Sequence, residues 1–187
     1  MRINFVAIFF LLFSNLQAQC ILQNASFEDT PSDAMVPNGW FMCNASTTPD
    51  ILPGFWGVYQ RPSEGRTYVG LITRRNGSFE SIGQRIHPKL SKKECYRFSL
   101  DLAYSHSYAG YNTPIHLRIY ISEDKCQDGE LIFDSGPVKN TSWQRKEIQL
   151  TPKTNAKYIR IEAYAPTPAE GNILIDRITP IQFCGRV

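Results

Sequence analysis

The chain has 187 residues, a formal net charge of +3 and five cysteines, and 20% of its residues are charged. This length suits one domain with a hydrophobic core of its own. Basic and acidic residues are mixed along the chain and no basic run exceeds a short pair, which excludes the basic face that nucleic-acid binding requires.

The chain begins with the features of an export signal. Arg2 precedes the apolar run FVAIFFLLF, and a small-residue cleavage site follows, ending at Ala18. The run is shorter than the roughly 20 apolar residues of a membrane span. We therefore predict a signal peptide over residues 1–18 and one exported domain over 19–187, secreted or held at the cell surface, with the periplasm as an alternative. A lipoprotein that starts at Cys20 is disfavoured, because Gln19 is larger than the usual residue before a lipidated cysteine.

The first half of the mature chain is strand-like but irregular. NASFEDT, residues 24–30, is predicted to form a short first strand that ends in Phe27, Glu28 and Asp29. FWGVYQ, TYVGLIT and SFESIGQRI are predicted strands, and Pro and Gly turn signals separate them.

From Cys95 onward the hydrophobic pattern has period two. Three segments alternate apolar residues with polar ones: CYRFSLDLAY, PIHLRIYIS and KYIRIEAYA. WQRKEIQLT and NILIDRITPI are two further predicted strands. Such alternation indicates half-buried antiparallel strands, and no apolar stripe at helical spacing persists for three turns. The sequence therefore predicts an all-β protein, an antiparallel β-sandwich of the jelly-roll type.

The five cysteines indicate disulfides, because an exported chain is oxidised and no C-x-x-C spacing favours a metal site. Spacing alone does not fix their connectivity. The first expected pair is Cys20 with Cys184, near the two ends of the mature chain, and the second is Cys95 with Cys126. One cysteine is left free or bonded to another molecule.

Several segments in order resemble the secreted galactose-binding-like jelly rolls, and among them the carbohydrate-binding modules. They are NASFEDT near the mature start, then PNGW, then CYRFSLDLAYS, and ILIDRITPI at the end. The extended match includes PDILPGFWGVYQRPSEGRTYVGL and is similar to modules of large surface proteins in Bacteroidota. The resemblance covers nearly the whole mature chain.

The resemblance implies a structural calcium ion held by a first-strand Glu and a last-strand Asp. The matching residues here are Glu28 and Asp176, with Asp29 as a possible extra ligand. Calcium takes six to eight oxygen ligands, which two carboxylates and backbone carbonyls can supply. The alternative is that Glu28 is solvated at a strand end and that Asp176 caps a nearby turn.

The polar sides of the long strands form the main candidate binding surface. If the sheet curves, they line the concave face on which related modules seat a sugar chain. Aromatic rings suit the C–H faces of sugars, and charged or hydroxyl groups suit their hydroxyls. The candidates are Asp101, His116, Arg118, Tyr120, Arg160, Glu162 and Tyr164. The alternative is a solvated sheet face with ion pairs.

Two loops add aromatic candidates. SHSYAGYNT contains Tyr108 and Tyr111, which we expect at the surface because connecting loops lie there. Trp56 in FWGVYQ is a second candidate platform, although a core position is equally consistent with the sequence.

These observations favour a secreted, non-catalytic carbohydrate-binding module whose partner is a polysaccharide or surface glycan. The first alternative is a structural or adhesive cell-surface module that binds protein. The second is a carbohydrate-active hydrolase with Glu80 and Glu162 as its carboxylates, but no catalytic motif of hydrolases or metalloproteases occurs in the sequence.

Overall fold

A computed structural model describes residues 19–186 as a sandwich of two β-sheets. This part of the chain contains no helix, and hence none that could cross a membrane. The predicted signal peptide lies outside the described residues. The strands are β1 (Gln19–Cys20), β2 (Phe41–Met42), β3 (Asp50–Leu52), β4 (Tyr68–Thr73), β5 (Ser81–Leu90), β6 (Glu94–Ala103), β7 (Thr113–Pro114), β8 (His116–Ser122), β9 (Glu130–Asp134), β10 (Gln144–Leu150), β11 (Ala156–Tyr164), β12 (Gly171–Asp176) and β13 (Ile181–Arg186).

The larger sheet has eight strands and the smaller has five. The smaller sheet has the order β2-β5-β11-β8-β9. The larger follows β1-β13-β6-β12-β4-β3, with β10 paired to β6 and the short β7 paired to β12. All the pairs are antiparallel except β7 with β12, so the predicted all-β antiparallel sandwich is confirmed.

The core lies between the two sheets and is built by the period-two residues. On β8, for example, Leu117, Ile119 and Ile121 are buried while the residues between them are half-buried. On β6, Leu100 and Leu102 are fully buried and pack in the same cluster. Alternation on facing strands is what allows each sheet to bury one side against the other.

Two of the predicted strands are wrong. Residues 23–26 form turns, and Phe27 has a positive φ of 55° that places its ring in the core against Trp40, 5.0 Å between centroids. The FWGVYQ segment also forms turns, with Trp56 at φ 51°. A left-handed residue cannot continue a strand, and single-sequence patterns do not reveal such positions.

Both expected disulfide pairings are wrong. The disulfides join Cys43 to Cys126 and Cys95 to Cys184, and Cys20 is buried as a free thiol. The terminal strands β1 and β13 are neighbours, but Cys20 lies opposite Ile181, three residues from Cys184. Three residues of a strand span roughly 10 Å, beyond the reach of a disulfide. Cys184 instead faces β6, where the register places Gly185 opposite Cys95.

Candidate functional site

Pairing between β8 and β11 places six of the predicted residues on one face of the five-stranded sheet. The register sets Tyr120 opposite Arg160, Arg118 opposite Glu162 and His116 opposite Tyr164. Because side chains alternate along each strand, these six point away from the core together. We call this surface the polar face.

Arg160 lies at one end of the polar face, opposite Tyr120. Its guanidinium carbon is 4.5 Å from the ring centroid of Tyr120, a cation–π distance. It also forms ion pairs with Glu162 at 3.5 Å and Asp128 at 3.3 Å. Its Nε is buried and makes no hydrogen bond with any described residue. That nitrogen is inaccessible to a ligand, and the rest of the side chain is held in place by Tyr120, Glu162 and Asp128.

Glu162 is the buried acid of this cluster. It is 5% exposed and accepts a hydrogen bond from the Tyr120 hydroxyl at 3.0 Å. Burial raises the pKa of Glu162, although the nearby Arg160 opposes that shift. The pair thus places a guanidinium beside a carboxylate on the outer side of the sheet.

A second cluster lies at the other end of the polar face, around Tyr164. Arg118 stacks on this ring with its guanidinium carbon 3.2 Å from the centroid. Asp134 from β9 accepts hydrogen bonds from Arg118 at 2.8 Å and from His116 at 2.7 Å. Burial acts to raise the pKa of Asp134, but these donors and the Gly136 amide outweigh it and lower that pKa.

The loop between β8 and β9 forms one wall of the polar face. Its Cys126 is bonded to Cys43, next to β2. Lys125 lies 4.2 Å above the ring of Phe41, and Asp128 reaches Arg160. Phe41, Lys125 and Asp128 were not predicted from the sequence, because they lie on a two-residue strand and a loop that show no periodicity.

The polar face therefore combines flat aromatic surface with fixed donors and acceptors. Its two arginines are compensated, because Arg118 pairs with Asp134 and Arg160 pairs with Glu162 and Asp128. Such a surface suits a neutral, hydroxyl-rich ligand better than a strongly charged one.

Four of the predicted residues lie elsewhere. Asp101 was placed on the same face, but its strand β6 belongs to the other sheet, where Arg145 and Ser63 bind it. The expectation of an exposed Tyr108 is wrong: the side chain is 1% exposed and its hydroxyl donates to Asp50. Tyr111 is half-buried against it, with 6.2 Å between ring centroids.

Trp56 is exposed, as the functional hypothesis requires, but it stands apart from the polar face. It is 47% exposed, and its indole N–H donates to Asp33 at 2.8 Å. Tyr59 and Met35, also on connecting segments, are 75% and 53% exposed. These loops therefore expose apolar side chains, whereas the polar face carries charged and aromatic ones.

Glu28 and Asp176 both contact the segment that leads into β4. Asp176 is fully buried and accepts hydrogen bonds from the backbone amides of Ser63 at 2.8 Å and Glu64 at 3.0 Å. Both carboxylate oxygens of Glu28 accept from the Arg66 amide at 3.0 Å. Burial raises the pKa of Asp176 to about 6, and Glu28 adds to that shift.

This pair fits a hard cation in part. The side-chain groups that could bind the cation are all oxygens: the two carboxylates and the Ser26 hydroxyl, which lies 3.5 Å from Asp176. Within residues 19–186, however, no three His, Cys, Asp or Glu side chains converge as a metal site. Calcium here would need backbone carbonyls and water for most of its coordination sphere.

Glu80 does not face a substrate-accessible cleft. It is 1% exposed and is held by Arg74 at 2.7 Å. Burial raises the pKa of Glu80, although its hydrogen bonds and Arg74 oppose that shift. The carboxylate pair of the hydrolase hypothesis therefore gains no support from the geometry.

Comparison with known proteins finds the fold but not a sequence family. No family profile and no curated protein sequence matches the chain. Among solved structures, the chain is similar to the CBM22-1 xylan-binding domain of Xyn10C from Paenibacillus barcinonensis, with a TM-score of 0.57 and 15% identity over 91% of this chain and 97% of that one. It is also similar to the K3 cleaved adhesin domain of Lys-gingipain from Porphyromonas gingivalis, with a TM-score of 0.55 and 16% identity over 89% of this chain and 98% of that one.

A third similar structure is an arabinose-bound GH51 α-L-arabinofuranosidase, with a TM-score of 0.65 and 12% identity. The match covers 89% of this chain but only 27% of the arabinofuranosidase. At these identities the likeness is one of fold. The chain has the jelly-roll fold shared by carbohydrate-binding modules and gingipain adhesin domains.

Proposed function

We propose that the protein is a secreted, non-catalytic carbohydrate-binding module whose glycan lies along the polar face of the five-stranded sheet. The observation that carries the proposal is the Tyr120–Arg160–Glu162 cluster, which places an aromatic ring, a guanidinium and a carboxylate side by side on β8 and β11. Similar folds include domains that bind xylan, which supports the ligand class without naming the sugar.

A binding assay of matched variants tests this proposal. The purified protein, Arg160→Ala and Arg97→Ala are applied to one panel of soluble polysaccharides and glycans. Arg97 is an exposed arginine on β6 of the other sheet, so its loss controls for the change in net charge. We expect Arg160→Ala to weaken binding about tenfold or more, since a hydrogen bond to a charged group contributes about 1.5–3 kcal/mol. Arg97→Ala should bind as the unaltered protein does.

Equal binding by all three proteins would show that the ligand binds outside the polar face. No binding by the unaltered, folded protein would contradict the glycan proposal and favour the adhesive one. The exposed Trp56, Tyr59 and Met35 support adhesion as the second candidate, because apolar side chains on loops suit a protein partner.

We also propose that Glu28 and Asp176 hold a structural calcium ion, which would neutralise the two carboxylates and link the first turn to β12. The test is thermal unfolding with calcium and with chelator, for the protein and for Glu28→Gln. Calcium should raise the Tm of the unaltered protein and leave that of the variant unchanged. An equal response in both proteins, or none in either, would contradict the site.

A further inference from the structure

A small cavity adjoins the end of the polar face at Tyr164. Its volume is about 170 Å³, close to the roughly 150 Å³ of a protein cavity that accepts benzene. The hairpin between β4 and β5 forms one side and the end of β11 forms the other. Tyr164 lines this cavity and also belongs to the polar face, so the two surfaces meet at one residue.

The walls of the cavity are mostly apolar and small. Phe79 and Pro168 line it from the hairpin and from the segment before β12, while Ala163, on β11, and Ala165, just after β11, flank Tyr164. The Ala163 amide donates to the Glu80 carbonyl at 3.0 Å, which fixes the hairpin against the strand. Because Ala165 is one of the lining residues, we expect a larger side chain there to reduce the space.

The one charged group in the wall is already neutralised. Arg74 lines the cavity, and it is held by Glu80 at 2.7 Å and by Thr48 and Ser46 at 3.0 and 3.1 Å. An acidic sugar would find no uncompensated cation here. A small neutral group with an apolar end fits both the size and the charge of the cavity.

We propose that this cavity receives the acetyl group of an acetylated sugar unit whose ring lies on the polar face at Tyr164. The methyl group would pack against Phe79, Ala165 and Pro168, and the carbonyl oxygen would stay at the open mouth, where it can be hydrogen-bonded. This assignment rests on the proposed glycan-binding function and narrows it to acetylated glycans. O-acetyl and N-acetyl groups share the chemistry, and the assay separates them.

Isothermal titration with two matched pairs of oligosaccharides tests the proposal. One pair is O-acetylated xylo-oligosaccharides before and after saponification. The other is chitooligosaccharides against cello-oligosaccharides of equal length, which differ in the acetamido group. In at least one pair the acetylated member should bind about fourfold tighter or more, the factor expected for burying one methyl group.

A cavity-filling variant locates the effect. Ala165→Leu should reduce that ratio to about one and leave the affinity for the unacetylated member unchanged. Ala109→Leu, on an exposed loop, is the matched control and should keep the ratio. If Ala165→Leu lowers the Tm, the smaller Ala165→Val replaces it.

Each other outcome overturns the assignment. Equal affinity within both pairs would remove the acetyl preference while leaving glycan binding in place. If Ala165→Leu still prefers the acetylated ligand, the acetyl group is recognised at another site. If neither acetylated ligand binds, the acetyl assignment fails, and the Arg160→Ala assay decides the proposed function independently.

Discussion

Tyr108 lies on a loop but is buried, so its role is to stabilise the fold and not to contact a ligand. Its hydroxyl donates to Asp50, and both residues are nearly inaccessible to solvent. Tyr108→Phe would leave a buried carboxylate without this donor, so we expect it to lower the free energy of unfolding by about 1–3 kcal/mol. Urea denaturation measures the loss.

Tyr59→Phe is the control for that experiment, because Tyr59 is 75% exposed and should cost little. Glycan binding should be the same in both variants and in the unaltered protein. Selective loss of binding in Tyr108→Phe, at unchanged stability, would restore the ligand role that the sequence suggested.

Asp50 makes stability depend on pH. Burial raises its pKa to about 6, against the opposing hydrogen bonds from Tyr108 and the Ala34 amide, while Asp33 and Glu80 raise it further. The folded state therefore holds the proton more tightly than the unfolded state does, whose pKa is about 3.9. This contribution to stability is full below about pH 4 and is lost as the pH rises to about 6.

Asp50→Asn should remove that contribution. The free energy of unfolding of the unaltered protein should fall more between pH 4 and pH 6.5 than that of the variant, by on the order of 2 kcal/mol. Urea denaturation at the two pH values gives the difference. A fall of the same size in both proteins would show that Asp50 does not titrate in this range.

The alternating pattern predicted which side chains point away from the core, but not whether another segment of the chain covers them. Glu162 and Asp101 occupy equivalent places in two alternating strands. Glu162 lies on the polar face, whereas Asp101 is covered by the segment that carries Ser63 and is paired with Arg145. Period-two alternation fixes the face within a strand and contains no information about the sheet to which that strand belongs.

At the scale of elements, the two disulfides tie distant segments together. Cys43 and Cys126 are 83 residues apart in sequence, and Cys95 and Cys184 are 89 apart. We predict that proteolysis without reduction releases one linked peptide pair for each bond and a Cys20 peptide linked to nothing. Mass spectrometry identifies the pairs. A peptide that links Cys20 to Cys184 would support the sequence-based pairing instead and contradict this register.

The long strands were predictable because each buries one side and exposes the other over several residues. The segments from Glu94, from His116 and from Ala156 all form strands where the alternation predicted them. The elements that complete the candidate site are short: Phe41 lies on a two-residue strand, and Lys125 and Asp128 lie on a loop. They reach the site through tertiary contacts, which no local pattern reports.

At the scale of the whole molecule, the sandwich gives the two sheets different outer surfaces. On the eight-stranded sheet, Asp101 of β6 is buried and bound by Ser63 and Arg145, whereas the five-stranded sheet leaves half-buried aromatic and charged side chains along β8 and β11. The fold, and the outward residues of β8 and β11, could be predicted from the sequence and its resemblance to jelly-roll modules. The choice between the two sheets required the strand order.

Backbone chemical-shift mapping by NMR shows directly whether the glycan binds on the polar face. The protein is titrated with the glycan that it binds most tightly on the panel. We predict that the largest amide shifts fall within residues 116–120 and 158–164, on β8 and β11 of the five-stranded sheet. Shifts confined to the loops that carry Trp56 and Tyr59, or to the eight-stranded sheet, would contradict the polar face as the binding surface.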